Sequence, residues 1–173
     1  MRRLAFVLLL ALAACRSAPG SDATTVVRQF YAAAIAGKVS GAPTTRQLAT
    51  LAPYLSDTLQ ALLVWARKRN EADAARAPDE KPSFAEGDLF SSLFEGPNAV
   101  EVLADSARGS SRVVTVRMTY NGATPALTWI DHVVLVPGKR GHVIDDVEYG
   151  GQWDFASKGT LKSSLATALA TPP

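Results

Sequence analysis

Residues 112–151 read RVVTVRMTYNGATPALTWIDHVVLVPGKRGHVIDDVEYGG, and this stretch decides the fold. It divides into three apolar runs, RVVTVRMTY, ALTWIDHVVLV and GHVIDDVEY. In the first, Val114, Val116, Met118 and Tyr120 fall on one face, and Val113, Thr115, Arg117 and Thr119 on the other. That period of two marks strands of a sheet with one buried and one wet face. Asn121-Gly122 and Pro137-Gly138-Lys139-Arg140-Gly141 separate the runs with turn chemistry, so neighbouring strands are expected to be antiparallel partners. A sheet with one apolar face needs a cover, and the helical patterns lie upstream.

Working back along the chain, Asn98–Ala104 reads as a further strand through Val100 and Val102, with Asp105–Ser111 as its turn. The segment Phe84–Pro97 holds three Phe, two Leu and the acids Glu86, Asp88 and Glu95 between glycines. It reads as a loop whose rings plug one end of the core or rim a cavity. Its acids do not fit the spacing of an EF-hand loop. Before it, Thr58–Ala75 carries the stripe Leu59, Leu62, Leu63, Ala66, with Ser56 and Asp57 as caps. Its far end, from Arg67 to Arg76, alternates charge sign as a solvated helix end does. Thr44–Ala52 predicts a short helix stopped or kinked by Pro53. Ala23–Ala36 predicts a helix capped by Asp22 and ended by Gly37, with Val26 or Val27, Phe30, Tyr31 and Ala34 inward. Downstream, Gly150–Phe155 is expected to fold over the sheet edge, and Thr160–Ala170 to form a last short helix.

The N-terminus reads as an address. Met1-Arg2-Arg3 is followed by 11 apolar residues, Leu4–Ala14, too few to span a bilayer, which needs ~20, but suited to a secretory signal. The run ends Leu12-Ala13-Ala14-Cys15, which resembles a bacterial lipobox. The alternative is an ordinary signal cut near Ala14 with Cys15 incidental. The lipobox likeness implies diacylglycerol on the Cys15 thiol and a fatty acyl group such as palmitate on its amine, since one chain alone anchors only marginally. It also implies a signal peptide over 1–14, a tether over 15–21 and a single domain over 22–173. Arg16, where an Asp commonly retains lipoproteins at the inner membrane of Gram-negative bacteria, favours the outer membrane, facing the periplasm.

Composition removes several classes. Without Arg2 and Arg3, the 18 Lys and Arg fall to 16, against 16 acidic residues, so the chain has no electrostatic footprint for nucleic acid. Two histidines and one cysteine exclude zinc clusters, redox CxxC pairs and intrachain disulfides. There is no Walker A motif, no dinucleotide-binding glycine fingerprint and no metal-ligand spacing, so no cofactor or metal is expected.

A helix, a helical pair and then a run of long strands is the order of the nuclear transport factor 2-like fold, an α+β cone with N-terminal helices packed on a curved antiparallel sheet. Through VVRQFYAAAIAGK, LAPYLSDTLQALL and TWIDHVVLV…GHVIDDVEYGGQWDF, the chain resembles a family of uncharacterised bacterial lipoproteins with that fold. His142 departs from it, since related strands often carry Trp there. The superfamily also contains ketosteroid isomerase-like enzymes, which implies Asp131 or Asp145 as a candidate base near Tyr120 and Tyr149. Against that, Asp145 and Asp146 are adjacent and face opposite ways in a regular strand, so one would enter a cavity and the other would pair with Arg117 or Arg112. His132 faces away from Asp131 for the same reason, and no G-x-S-x-G elbow supports a hydrolase.

Three functions stay open on the sequence. The first is a membrane-anchored envelope lipoprotein, not catalytic, binding a protein or small ligand through a concave apolar site that would draw on Tyr31, Trp65, Phe84, Phe90, Trp129 and Trp153. The second is a small acid/base enzyme of the isomerase type. The third is an immunity-type or structural envelope protein whose surface matters more than any cavity.

Overall fold

The computed structural model describes residues 22–170. The expected signal segment, Cys15 and the tether all lie outside the described residues. Helix α1 (Ala23–Ala36) begins where the Asp22 carboxylate accepts the Thr25 N–H, and ends where the Gly37 N–H returns to the Ala33 carbonyl. Its 3.6-residue period turns Val26, Val27, Phe30, Tyr31 and Ala34 to the interior, all buried. Helix α2 (Thr45–Leu51) starts on a reciprocal Thr44–Gln47 capping box and runs into a 3₁₀ turn, Ala52–Tyr54, shaped by Pro53. Helix α3 (Asp57–Arg76) is capped by Ser56, whose hydroxyl accepts the Leu59 N–H at 3.1 Å.

The strands follow as β1 (Ala99–Arg108), β2 (Ser111–Tyr120), β3 (Leu127–Gly138) and β4 (Gly141–Glu148), in one antiparallel sheet of order β1-β2-β3-β4. Helix α4 (Leu161–Ala170) closes the chain. The described chain is therefore α+β, with helices packed on an open four-stranded antiparallel sheet.

The period-two reading holds in β2 from Val114 onward, where Val114, Val116 and Met118 are fully buried and Arg117 is exposed, but Val113, expected on the wet face, is buried as well. In β3 it places Trp129, Asp131, Val133 and Leu135 inward. The apolar residues among these share one buried core with Val27 and Phe30 of α1 and with Leu59, Leu63, Leu161 and Leu165. Each such side chain contributes about 1.5–3 kcal/mol when fully buried.

Two expectations about the strands are corrected. The turn expected over Asp105–Ser111 is strand as far as Arg108, and the reversal falls at Gly109-Ser110. A register shift between Val102 and Ala104 resets the alternation, so the polar Asp105 and Ser106 can sit on a strand that has only one partner. In β4, Val134 pairs with Asp146 but Leu135 with Ile144, which leaves Asp145 as the extra residue of a bulge. Simple alternation therefore fails at the Asp145-Asp146 pair.

The far end of α3 is also less solvated than its charge pattern implied. Asp73 is 8% exposed and is held by Arg69 at 2.9 Å and Arg76 at 3.2 Å. From the same turn the Asn70 side chain accepts the Phe84 N–H at 2.8 Å, which ties the following loop to the helix.

Candidate functional site

The β3 alternation carries a charge into the core, since Asp131 is 0% exposed. A carboxylate without water is tolerable only if its lone pairs are filled. Asp131 Oδ2 accepts the Ser92 N–H at 2.8 Å and the Trp129 indole N–H at 3.0 Å. Its Oδ1 accepts the Gly150 N–H at 2.8 Å and the Ser92 hydroxyl. Ser92 Oγ in turn accepts the Gly151 N–H at 3.0 Å. Both oxygens are thus committed to donors from β3, the loop at Ser92 and the tail at Gly150.

Glycine is required at this junction, because a Cβ on Gly150 would stand 2.2 Å from the Ile130 carbonyl oxygen. The neighbouring tyrosines are turned the same way. The Tyr31 hydroxyl donates to the Phe90 carbonyl at 2.8 Å and the Tyr149 hydroxyl to the Leu89 carbonyl at 2.7 Å. Burial, with nearby carboxylates adding, pushes both phenols above their ordinary range, so they remain neutral donors. Chemically, this constellation is a clamp that fixes residues 84–97 and 150–153 to the sheet.

The Asp145-Asp146 bulge clamps α4. Asp145 accepts the Ser56 hydroxyl at 2.7 Å and the Lys162 ammonium at 2.9 Å, while Asp146 Oδ1 accepts the Lys162 N–H at 2.9 Å. Burial raises the Asp145 carboxyl, but the hydrogen bonds from Lys162 and Ser56 outweigh it and hold the group below its ordinary range. The expected pairing of one of these acids with Arg117 or Arg112 is not found. Arg117 bonds Glu101, and Arg112 bonds Asp105. His132 points away from Asp131, as expected, to the Thr115 hydroxyl at 3.1 Å.

The six candidate aromatics are not brought to one concave site. Tyr31 and Phe90 both pack edge-on against Phe30, Trp65 meets Phe84 at 6.1 Å between ring centroids, and Trp129 meets Trp153 at 5.7 Å. Tyr31 and Phe90 do share a cleft of about 270 Å³, between the end of α1 and the loop from Asp88 to Asn98. A wider groove of about 820 Å³ holds none of the six. It runs between the start of α1, the Pro53-Tyr54 turn and the β3–β4 hairpin, with Lys139, Arg140 and His142 on one wall. Sequence reasoning passed over the wider groove because much of its wall comes from turns, and turn residues carry no periodic signal. The Phe84–Pro97 segment did point to a cavity rim, but through its rings and not through Asp88.

Among the described residues there is no cluster of three His, Cys, Asp or Glu side chains placed to hold a metal, and no helix long and apolar enough to cross a membrane.

No protein-family model and no solved structure matches the chain. Over 142 residues the chain is 29% identical to a protein of Escherichia coli (strain K12) named uncharacterized lipoprotein YbjP, an alignment covering 81% of this chain and 73% of that protein.

Proposed function

We propose that this protein is a lipid-anchored lipoprotein of the bacterial envelope, attached through Cys15, whose single α+β domain binds a protein or small ligand without catalysis. The observation that carries the anchor is the Leu12-Ala13-Ala14-Cys15 motif in a chain similar over most of its length to a lipoprotein. Arg16 after the cysteine supports the outer membrane facing the periplasm as its address. The order of a helix, a helical pair and four antiparallel strands supports the reading of the fold as a nuclear transport factor 2-like cone.

The non-catalytic part rests on Asp131 and Asp145. An isomerase-type base must face a cavity with a free tyrosine hydroxyl in reach. Both carboxylates are instead taken up by internal donors, and Tyr31 and Tyr149 donate to backbone carbonyls.

Fractionation of cells producing the parent chain and Cys15→Ala tests the anchor. The parent is expected in outer-membrane fractions and the variant in the soluble periplasm. Equal partitioning of the two would overturn the proposal.

A further inference from the structure

Asp88 stands on the wall of the 270 Å³ cleft, together with Tyr31, Lys38, Phe90, Glu95 and Asn98. The loop is folded around it. Its own N–H donates to the Phe94 carbonyl at 2.7 Å, and its Oδ1 accepts the Phe90 N–H at 2.5 Å. Gly96, at φ +73°, lies so close that a Cβ there would fall 2.4 Å from Asp88 Oδ2. The carboxyl is therefore held by the loop backbone, in a residue that lines the cleft. None of the ion pairs of the described residues includes it. Lys38 lies at the same cleft, also without an ion pair to Asp88 or Glu95.

The charges around Asp88 do not compensate it. Asp131 adds a second negative charge from β3, Glu95 adds one at the cleft, and Tyr31 and Tyr149 are neutral. Burial first, and then Asp131, pushes the Asp88 carboxyl up to about 7, against the opposing pull of the Phe90 and Ser91 N–H groups. A partly buried carboxylate with no ion-pair partner is costly, and a ligand that supplies the charge recovers part of that energy.

We propose that this cleft binds a cationic nitrogen, the ammonium or guanidinium of a small amine or of a partner's Lys or Arg side chain, with Asp88 as countercharge. Glu95 flanks the charge, and Tyr31 and Phe90 lie against the apolar stem of the ligand. Lys38 competes weakly from the rim. The inference rests on the proposed binding role and deepens it by naming the ligand chemistry, and it is independent of the anchor.

Below pH 7 the incoming cation must displace a proton from Asp88, so its affinity falls up to about tenfold for each pH unit. The test is an NMR titration of the full chain in detergent between pH 5 and 8. The probes are N-acetyl-lysine amide and N-acetyl-arginine amide for a side-chain source, 1,5-diaminopentane for a free amine, and N-acetyl-norleucine amide as the neutral control. The expected result is shifts at residues 34–40 and 88–98 with one or more cationic probes, weakening below pH 7 and lost in Asp88→Asn. The class of probe that binds then identifies the source. An unchanged spectrum elsewhere in Asp88→Asn shows that the variant is folded. No shift with any cationic probe, equal shifts with the norleucine probe, or binding retained by the folded variant would each overturn the proposal.

Discussion

Replacing Asp131 separates a clamp from a base. In Asp131→Ala the Ser92 N–H, the Trp129 indole N–H and the Gly150 N–H lose their acceptor inside the protein. Each buried donor left unmade costs about 1–3 kcal/mol, and partial entry of water lowers the total to about 3–5 kcal/mol. Against a domain stability of ~5–15 kcal/mol this is a large share, equivalent to a fall of roughly 10–15 °C in Tm.

Asp131→Asn is the sharper variant. An amide can present one acceptor oxygen, but the parent uses two, each with two donors. The least damaging placement puts the NH₂ at the Oδ1 position, where the Ser92 hydroxyl can turn to accept from it and the Gly150 N–H faces a donor. The expected cost is about 1.5–3 kcal/mol. Urea unfolding followed by tryptophan fluorescence reads both variants, since Trp129 touches the site and packs edge-on against Trp153. Near-UV circular dichroism should show the same two rings loosened. A carboxylate kept under strain for chemistry behaves oppositely, because its removal stabilises the fold. Either variant matching the parent within about 0.5 kcal/mol, or exceeding it, would refute the clamp.

Other perturbations have defined signs. Gly150→Ala drives a methyl into the Ile130 carbonyl and is expected to cost about 2 kcal/mol or more in the same unfolding assay. Ser56→Ala removes the α3 cap and a donor to Asp145, and is expected to lower stability by about 1–2 kcal/mol with faster amide exchange at residues 57–60. Asp88 is raised in the folded state from 3.8 to about 7, so the unfolded chain ionises first and stability falls as pH rises through that window. The full difference corresponds to roughly 4 kcal/mol, reduced to about 2 kcal/mol by solvent at this half-buried group. Asp88→Asn should flatten that slope in denaturation curves measured from pH 4 to 8, and an unchanged slope would contradict the assignment.

The sequence was most informative where one period ran without interruption. Val26 to Ala34 and Val114 to Met118 are each decided by a face, and a face is written in every third or second residue. It was silent where the backbone makes a local choice. The bulge at Asp145 leaves no mark in IDDVEY, yet it undoes the argument that adjacent acids must part. The extension of β1 beyond Ala104 depends on another such shift.

The role of Asp131 was out of reach for a different reason. Two of its four donors are backbone N–H groups, which every residue but proline carries, and they arrive from 39 and 19 positions away. A strand aspartate reads identically whether a substrate or Ser92 awaits it. The aromatic set shows the converse limit. Ring content announces burial, but it does not say which rings share a pocket, and Trp65 with Phe84 packs apart from Trp129 with Trp153.

The proposed anchor is tested most directly by mass spectrometry of the N-terminal peptide of the protein purified from bacterial membranes. The expected peptide starts at Cys15 and carries diacylglycerol on the thiol, with a fatty acyl group on the amine. A free, unmodified Cys15 thiol, or a chain still carrying residues 1–14, would contradict the anchor.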